Sequence, residues 1–210
     1  MARDLKAKCR QCRRAGEKLF LKGDRCSSPK CGMVKKNYAP GMHGKKMTRG
    51  LSEYGRQLAM KQRIKRIYGV LERQFRNHFD EASKKQGVAG DLLMVRLEMR
   101  LDNVVYRMGF APSRTTARQI VNHGLINVNG KKVSIPSYKA KPGDVVSARE
   151  NKKEKPYFQE VLRALKNKKG ACAWVQVDAA KLEGKILSLP EGGEISSNVD
   201  PQLVVEYYSR

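Results

Sequence analysis

The stretch RLDNVVYRMGFAPSRTTARQIVNHGLINVNGKKVSIPSYKAKPGD, Arg100 to Asp144, decides how this chain folds. Ser113 is placed to cap a short helix over RTTARQIVNH, and Gly124 stops it. Ile126 and Val128 then alternate with polar residues, Asn129-Gly130 supplies a type I′ turn, and Val133 and Ile135 resume the apolar face, so a hairpin follows. Upstream, Asp91 is a plausible N-cap for one helix covering LLMVRLEMRLDNVVYRM, closed by Gly109. Downstream, KPGD at 141–144 turns into a third strand, VVSAR, and a helix is expected near Tyr157 to Leu165. Two helices, a hairpin and a further strand make a small α-β domain within an α+β protein.

Further out, Leu51, Tyr54, Leu58, Ile64, Ile67, Tyr68, Leu71, Phe75 and Phe79 fall at mostly three- and four-residue steps, with Lys and Arg on the other faces. One or two amphipathic helices are expected there, with Gly69 as a break and a loop from Lys84 to Gly90. Residues 1–45 are short of apolar periodicity and rich in Gly, Cys and Lys, so no core of their own is expected. The reading divides the chain into a basic N-terminal segment at 1–45, a mainly helical body at 46–97 joined by 171–210, and the small α-β domain with a basic extension at 98–170.

The 210 residues carry 44 Lys and Arg against 20 Asp and Glu, a net charge of +24. Residues 1–80 contribute +16, 81–170 contribute +11, and 171–210 contribute −3. Charge of this size repels itself in a compact monomer, so it points to a polyanionic partner. Nucleic acid fits better than a membrane surface, because no basic helix with a bulky apolar face is evident. No apolar run reaches the length of a signal core or a membrane span, so the protein is expected to be intracellular, with no membrane partner.

Four of the five cysteines lie in KCRQCRRAGEKLFLKGDRCSSPKCG, Lys8 to Gly32, with spacing Cys9-x2-Cys12, thirteen residues, Cys26-x4-Cys31. Two close pairs separated by a loop suit a tetrahedral ion, and flanking Arg10, Arg13, Arg14, Arg25 and Lys30 favour thiolate. One structural zinc is expected, with an iron-sulfur cluster as the alternative. A redox pair at Cys9 and Cys12 would leave Cys26 and Cys31 unexplained. His43 reads as a turn residue and Cys172 as a small buried side chain.

The run from Arg100 to Asp144 resembles the small RNA-binding domain found in a ribosomal protein, in several pseudouridine synthases and in bacterial tyrosyl-transfer-RNA synthetases. That resemblance implies that Ser113, Arg114, Thr115, Arg118, Gln119, Asn129, Lys131 and Lys132 lie on or near an RNA face. The helix N-terminus at Ser113 suits a phosphate, and Arg114 and Arg118 share one helix face. Arg100-Leu101-Asp102 resembles the catalytic aspartate motif of those synthases. It continues as Asn103-Val104-Val105 inside helical periodicity, so Asp102 is expected to pair with a nearby arginine and no enzyme is expected.

YAPGMHG, LSEYGRQLAMKQRIKRIYGVLERQFRNHF and the ending VDPQLVVEYYSR resemble, in register over essentially the whole chain, the family of bacterial small-subunit ribosomal protein four. The cysteine pattern is similar to that of its zinc-bearing members. The resemblance implies a cytoplasmic structural constituent of the small ribosomal subunit that binds 16S ribosomal RNA at a helix junction of the five-prime domain and helps start assembly. It further implies a place beside the messenger entry channel, ribosomal protein S-five as a neighbour, messenger RNA nearby, an effect on accuracy, and no small-molecule substrate. The basic surface expected to face RNA adds Arg3, Lys8, Arg10, Arg13, Arg14, Lys35, Lys36, Lys45, Lys46, Arg49, Arg56, Lys61, Arg63, Arg66, Arg73 and Arg76. The competing class is a DNA-binding regulator with a zinc module, in which the second helix enters a major groove.

Overall fold

A computed structural model of the chain describes residues 4, 6–46, 50–167, 172–191 and 199–210. Arg3 and Arg49 lie outside the described residues. The chain divides into two compact units, Met1–Met94 with Ser197–Arg210, and Val95–Ser196.

The first unit is helical. Helix α1 (Lys8–Ala15) ends at Gly16, whose φ of 76° is open to glycine without a Cβ clash. A 3-10 turn (Gly23–Cys26) and α2 (Gly32–Lys35) follow. Contrary to the expectation that residues 1–45 lack a core, Cys12, Leu19, Leu21, Cys31 and Met33 form an apolar cluster with Ile67 packed against it. Cysteine behaves as a small hydrophobe when buried, which a count of periodic Leu, Ile and Val overlooks.

Helix α3 (Glu53–Tyr68) starts where Ser52 Oγ accepts the Gly55 N–H at 3.2 Å and stops at Gly69 with φ 62°. Then come α4 (Glu72–Ser83) and α5 (Ala89–Glu98), which runs across the division. The C-terminal α9 (Gln202–Tyr208) packs on α3, where Gln57 Nε2 donates to Glu206 at 3.0 Å, and Tyr208 stacks on Phe79 of α4 with centroids 4.7 Å apart. Ile64, Phe75 and Val204 are fully buried, each worth about 1.5–3 kcal/mol over exposure.

The second unit departs from the sequence reading at its first helix. The single helix expected from Asp91 to Met108 is two, α5 and α6 (Leu101–Arg107). Between them Met99 O accepts the Ala140 N–H at 2.9 Å and Leu101 N–H donates to Tyr138 O at 2.9 Å, so the Met99 carbonyl and the Leu101 amide bond sideways and not along a helix. Leu97, Leu101, Val104 and Met108 keep helical spacing through the break, which hid it.

Helix α7 (Arg114–Asn122) is followed by β1 (Ile126–Val128), β2 (Lys131–Lys132), β3 (Val145–Ala148), a 3-10 turn (Glu150–Lys152), α8 (Pro156–Asn167), β4 (Val175–Asp178) and β5 (Glu183–Ile186). Asn129 and Gly130 take φ of 50° and 77°, the turn read from their pairing. β2 stops short of Ile135, because the chain from Pro136 to Tyr138 bonds to the start of α6 instead. The five strands are antiparallel in the order β2-β1-β3-β5-β4.

Residues 175–186, grouped with the body in the sequence reading, therefore extend this sheet. Val146 lies opposite Gly184, where a Cβ would meet Met108 Sδ at 2.7 Å. A glycine and two charged residues in β5 mask a strand whose inward positions are only Gly184 and Ile186. Ile126, Val128, Val146, Ala148 and Ile186 meet Leu101, Val105, Met108, Phe110, Ile120 and Phe158 in one core. Tyr157 Oη donates to Phe110 O at 2.7 Å and ties α8 to the loop before α7.

Candidate nucleic-acid interface

Ser113 caps α7 by accepting the Thr116 N–H at 3.2 Å, and it is buried. That corrects its expected place on an RNA face: the hydroxyl is spent on the helix end. Thr115 and Gln119 are exposed on α7. Arg114 and Arg118 are half-buried and held from beneath. Arg114 Nε donates to Asn103 Oδ1 at 2.7 Å, its guanidinium lies 4.6 Å from the Tyr106 ring centroid, and Glu98 is 3.8 Å away. Arg118 Nη1 meets Asp102 Oδ2 at 3.1 Å, and Asp102 also takes Arg100 at 3.0 Å.

Asp102 thus has the arginine partners expected of it. Glu98, with no exposed surface, accepts from Asn103 Nδ2 at 2.5 Å and from Arg107 at 2.8 and 2.6 Å. Two buried carboxylates therefore anchor four guanidiniums, and ordering a guanidinium in advance lowers the entropy lost when it meets phosphate. Glu98, Asn103 and Arg107 were missed by the sequence reading. Their signal, carboxylate, amide and arginine at positions 98, 103 and 107, straddles the helix break and is legible only once that break is known.

Asn129 Nδ2 donates to Asp144 Oδ1 at 2.8 Å and its Oδ1 accepts the Val145 N–H at 2.9 Å. Its side chain locks two turns together while remaining exposed. Lys131 and Lys132 beside it are exposed, Lys132 running over Gly124.

In the first unit, Arg10, Arg14, Lys35, Lys36, Lys45, Lys46, Arg56, Arg73 and Arg76 are exposed, whereas Lys8, Arg13, Arg63 and Arg66 are half-buried. Arg13 donates to Tyr38 O at 2.9 Å and to Ala39 O at 3.2 Å and lies over the Tyr38 ring, so it braces the YAPG segment. Arg63 pairs with Glu17 at 2.5 Å and Lys8 donates to Asp4 O at 2.9 Å. Burial, then the charge of Arg14, pulls Arg66 below its ordinary value. Cations crowded in this way are relieved by an anionic partner.

Lys61 is a correction. It is 4% exposed, paired with Glu72 at 2.6 Å and 4.3 Å from the Tyr207 ring centroid, so it builds the α3–α4–α9 junction and faces no solvent. Burial alone would raise Glu72, but hydrogen bonds from Lys61, Lys65 and Tyr208 outweigh it and hold the carboxyl at about 2.

The four N-terminal cysteines line one hollow of about 10 Å³, with Leu21, Lys22, Gly32 and Met33 among its other walls. That is room for about one small atom or ion. Gly32 is required there, since a Cβ would stand 2.9 Å from Cys9 Cβ and 3.2 Å from its sulfur. The Lys22 N–H donates to Cys26 Sγ at 3.4 Å. Burial pushes the Cys12 thiol up, the Leu19 N–H lowers it, and Cys26, Cys9 and Cys31 raise it further. The donor set and the hollow fit a small cation. As the sulfurs stand, though, no three His, Cys, Asp or Glu groups among the described residues are close enough to hold one.

Comparison with known proteins covers the whole chain. Residues 3–98 match the model of the ribosomal protein S4/S9 N-terminal domain, and residues 99–146 match the S4 domain. Small ribosomal subunit protein uS4 of Dictyoglomus turgidum is 54% identical over 210 residues, all of both chains. Those of Syntrophomonas wolfei and Thermus thermophilus are 50% and 49% identical over the same full lengths. The chain belongs to the ribosomal protein uS4 family. The uS4 family consists of rRNA-binding structural constituents of the small ribosomal subunit, not of enzymes. Membership removes the DNA-regulator alternative. It also accounts for an S4 domain whose arginines are ordered on buried acids.

Proposed function

We propose that this protein is a primary binder of 16S ribosomal RNA, seated at a helix junction of the five-prime domain and acting early in small-subunit assembly in the cytoplasm. The observation that carries this reading is the contrast between ordered and open cations. Arg114 and Arg118 are set on Asp102 and Glu98, while Arg10, Arg14, Lys35, Lys36, Arg56, Arg73 and Arg76 stand exposed on a helical unit. A folded RNA junction is recognised by shape and phosphate positions, which calls for many cations on rigid elements more than for base-reading side chains.

In this reading the RNA-facing surface also includes Lys8, Arg13, Lys45, Lys46, Arg63, Arg66, Thr115, Gln119, Lys131 and Lys132. Residues 1–45 form a zinc-stabilised basic segment, 46–97 a helical body, and the S4 domain a second RNA-binding element. Ribosomal protein S-five and messenger RNA at the entry channel are its neighbours, through which it contributes to accuracy.

Cys9, Cys12, Cys26 and Cys31 hold one structural zinc, supported by the shared hollow and its Gly32 wall. The ion leaves no position for substrate and serves only to fix the loop.

The test is equilibrium binding to the five-prime domain of 16S ribosomal RNA at physiological salt against transfer RNA and duplex DNA. Selective binding that survives both competitors supports the reading, and equal competition by all three overturns it. For the metal, the purified protein should carry about one zinc per chain by elemental analysis, and Cys26→Ser with Cys31→Ser should carry none. Metal retained by that variant removes the proposed site.

A further inference from the structure

We propose that a cleft on the open face of the five-stranded sheet receives one unstacked guanine nucleotide of the bound RNA, an inference that rests on the RNA-binding role above. The cleft has a volume of about 420 Å³, and its walls include Asn127, Ser147, Arg149, Glu150, Lys153 and Glu183. That volume falls in the range of small-molecule sites.

Strand register assembles its floor. Asn127 lies opposite Ser147, and Ser147 opposite Glu183, so the three form one row across β1, β3 and β5. Ile126, Val128, Val146, Ala148 and Gly184, their chain neighbours, point into the core. Alternation therefore sends the row to the opposite face. Asn127 Oδ1 is shielded from solvent and meets no donor. A buried acceptor without a donor is uncommon in a native fold. The side chains of Ser147, Arg149, Lys153 and Glu183 make no hydrogen bond or ion pair with another described residue.

The composition of the cleft selects the ligand. A groove that only tracked phosphates would not set Glu150 and Glu183 among its cations. A nucleotide has one anionic end and one base edge. Arg149 and Lys153 suit the phosphate, and Ser147 suits a sugar hydroxyl. Glu183 offers a carboxylate acceptor to the base. Guanine presents two adjacent donors, N1–H and N2–H, on its Watson–Crick edge, whereas adenine, cytosine and uracil would turn a lone pair toward the carboxylate. Unstacked bases read on that edge are the usual targets of sequence-dependent RNA recognition.

The full-length, isotope-labelled protein would be titrated with guanosine, adenosine, cytidine and uridine monophosphates, and with inorganic phosphate, following backbone amide signals. Guanosine monophosphate should move the signals of Asn127, Ser147 and Glu183, with binding about tenfold weaker in Glu183→Gln. Arg149→Ala should weaken all four nucleotides alike. Equal shifts with all four or with phosphate alone, shifts with an arginine-rich peptide in place of guanosine monophosphate, or unchanged binding by Glu183→Gln would each overturn the cleft assignment. The amide spectrum of each variant reports whether it remains folded.

Chemical probing of guanines in the complex with five-prime-domain RNA separates this inference from its premise. Wild type should protect an unpaired guanine that Glu183→Gln leaves reactive. Tight RNA binding with identical guanine protection in both proteins removes the cleft and leaves the RNA role intact. Loss of selective RNA binding by wild type removes the RNA role itself.

Discussion

Glu98 is a carboxylate with no solvent exposure, tolerated because Asn103 and Arg107 donate three hydrogen bonds to it. Removing one partner of such an arrangement strands the others, so Glu98→Ala should cost about 3–5 kcal/mol in urea unfolding. Glu98→Gln, which keeps an acceptor, should cost less. Glu72 makes a prediction with a sign. Its carboxyl is held at about 2 against an ordinary 4.5. The stability it contributes is therefore full above about 4.5 and is lost as pH falls through about 2. The difference in urea midpoint between wild type and Glu72→Ala should narrow across that window and stay constant above it. Its exposed position keeps the effect modest.

At the scale of elements, α7 depends on its cap. Ser113→Ala should destabilise the protein by about 0.5–2 kcal/mol, and Ser113→Asp should restore most of the loss. Because the hydroxyl is buried in the cap, RNA affinity of the alanine variant should fall only as far as folding does, measured by binding beside thermal unfolding. The hairpin and α7 were legible because their signals are local: a capping serine, a glycine stop, and Asn129-Gly130 with positive φ at both positions. The break between α5 and α6 was not legible, because it is made by bonds to Tyr138 and Ala140 about forty residues onward. Strands β4 and β5 were hidden for a related reason. Each is four residues long, and β5 exists by pairing with β3 over a glycine that Met108 crowds.

At the scale of the molecule, the unit from Val95 to Ser196 has its own core and a five-stranded sheet without unpaired inner strands. A fragment spanning residues 89–196, which keeps α5 whole, should therefore unfold cooperatively on its own in urea, with dispersed amide signals. An unfolded fragment would mean that the first unit supplies part of its stability. The charge distribution, by contrast, was readable from composition alone. A net +24 with the excess in the first eighty residues already calls for a polyanion.

What the sequence determined by itself was the chemistry available: the sign and size of the charge, the spacing of the four cysteines, the capped helix and the hairpin turn. These follow from residue type and near-neighbour geometry. The tertiary structure decided which of the basic residues stay open to a partner. Lys61 belongs to the same basic face of the sequence as Arg56 and Arg73, yet it is taken by Glu72 while the others remain exposed. It also decided that Arg114 and Arg118 rest on Glu98 and Asp102. The physical reason is that a charged side chain's role depends on its distance to an opposite charge and on its burial, and both are set by chain segments that are remote in sequence.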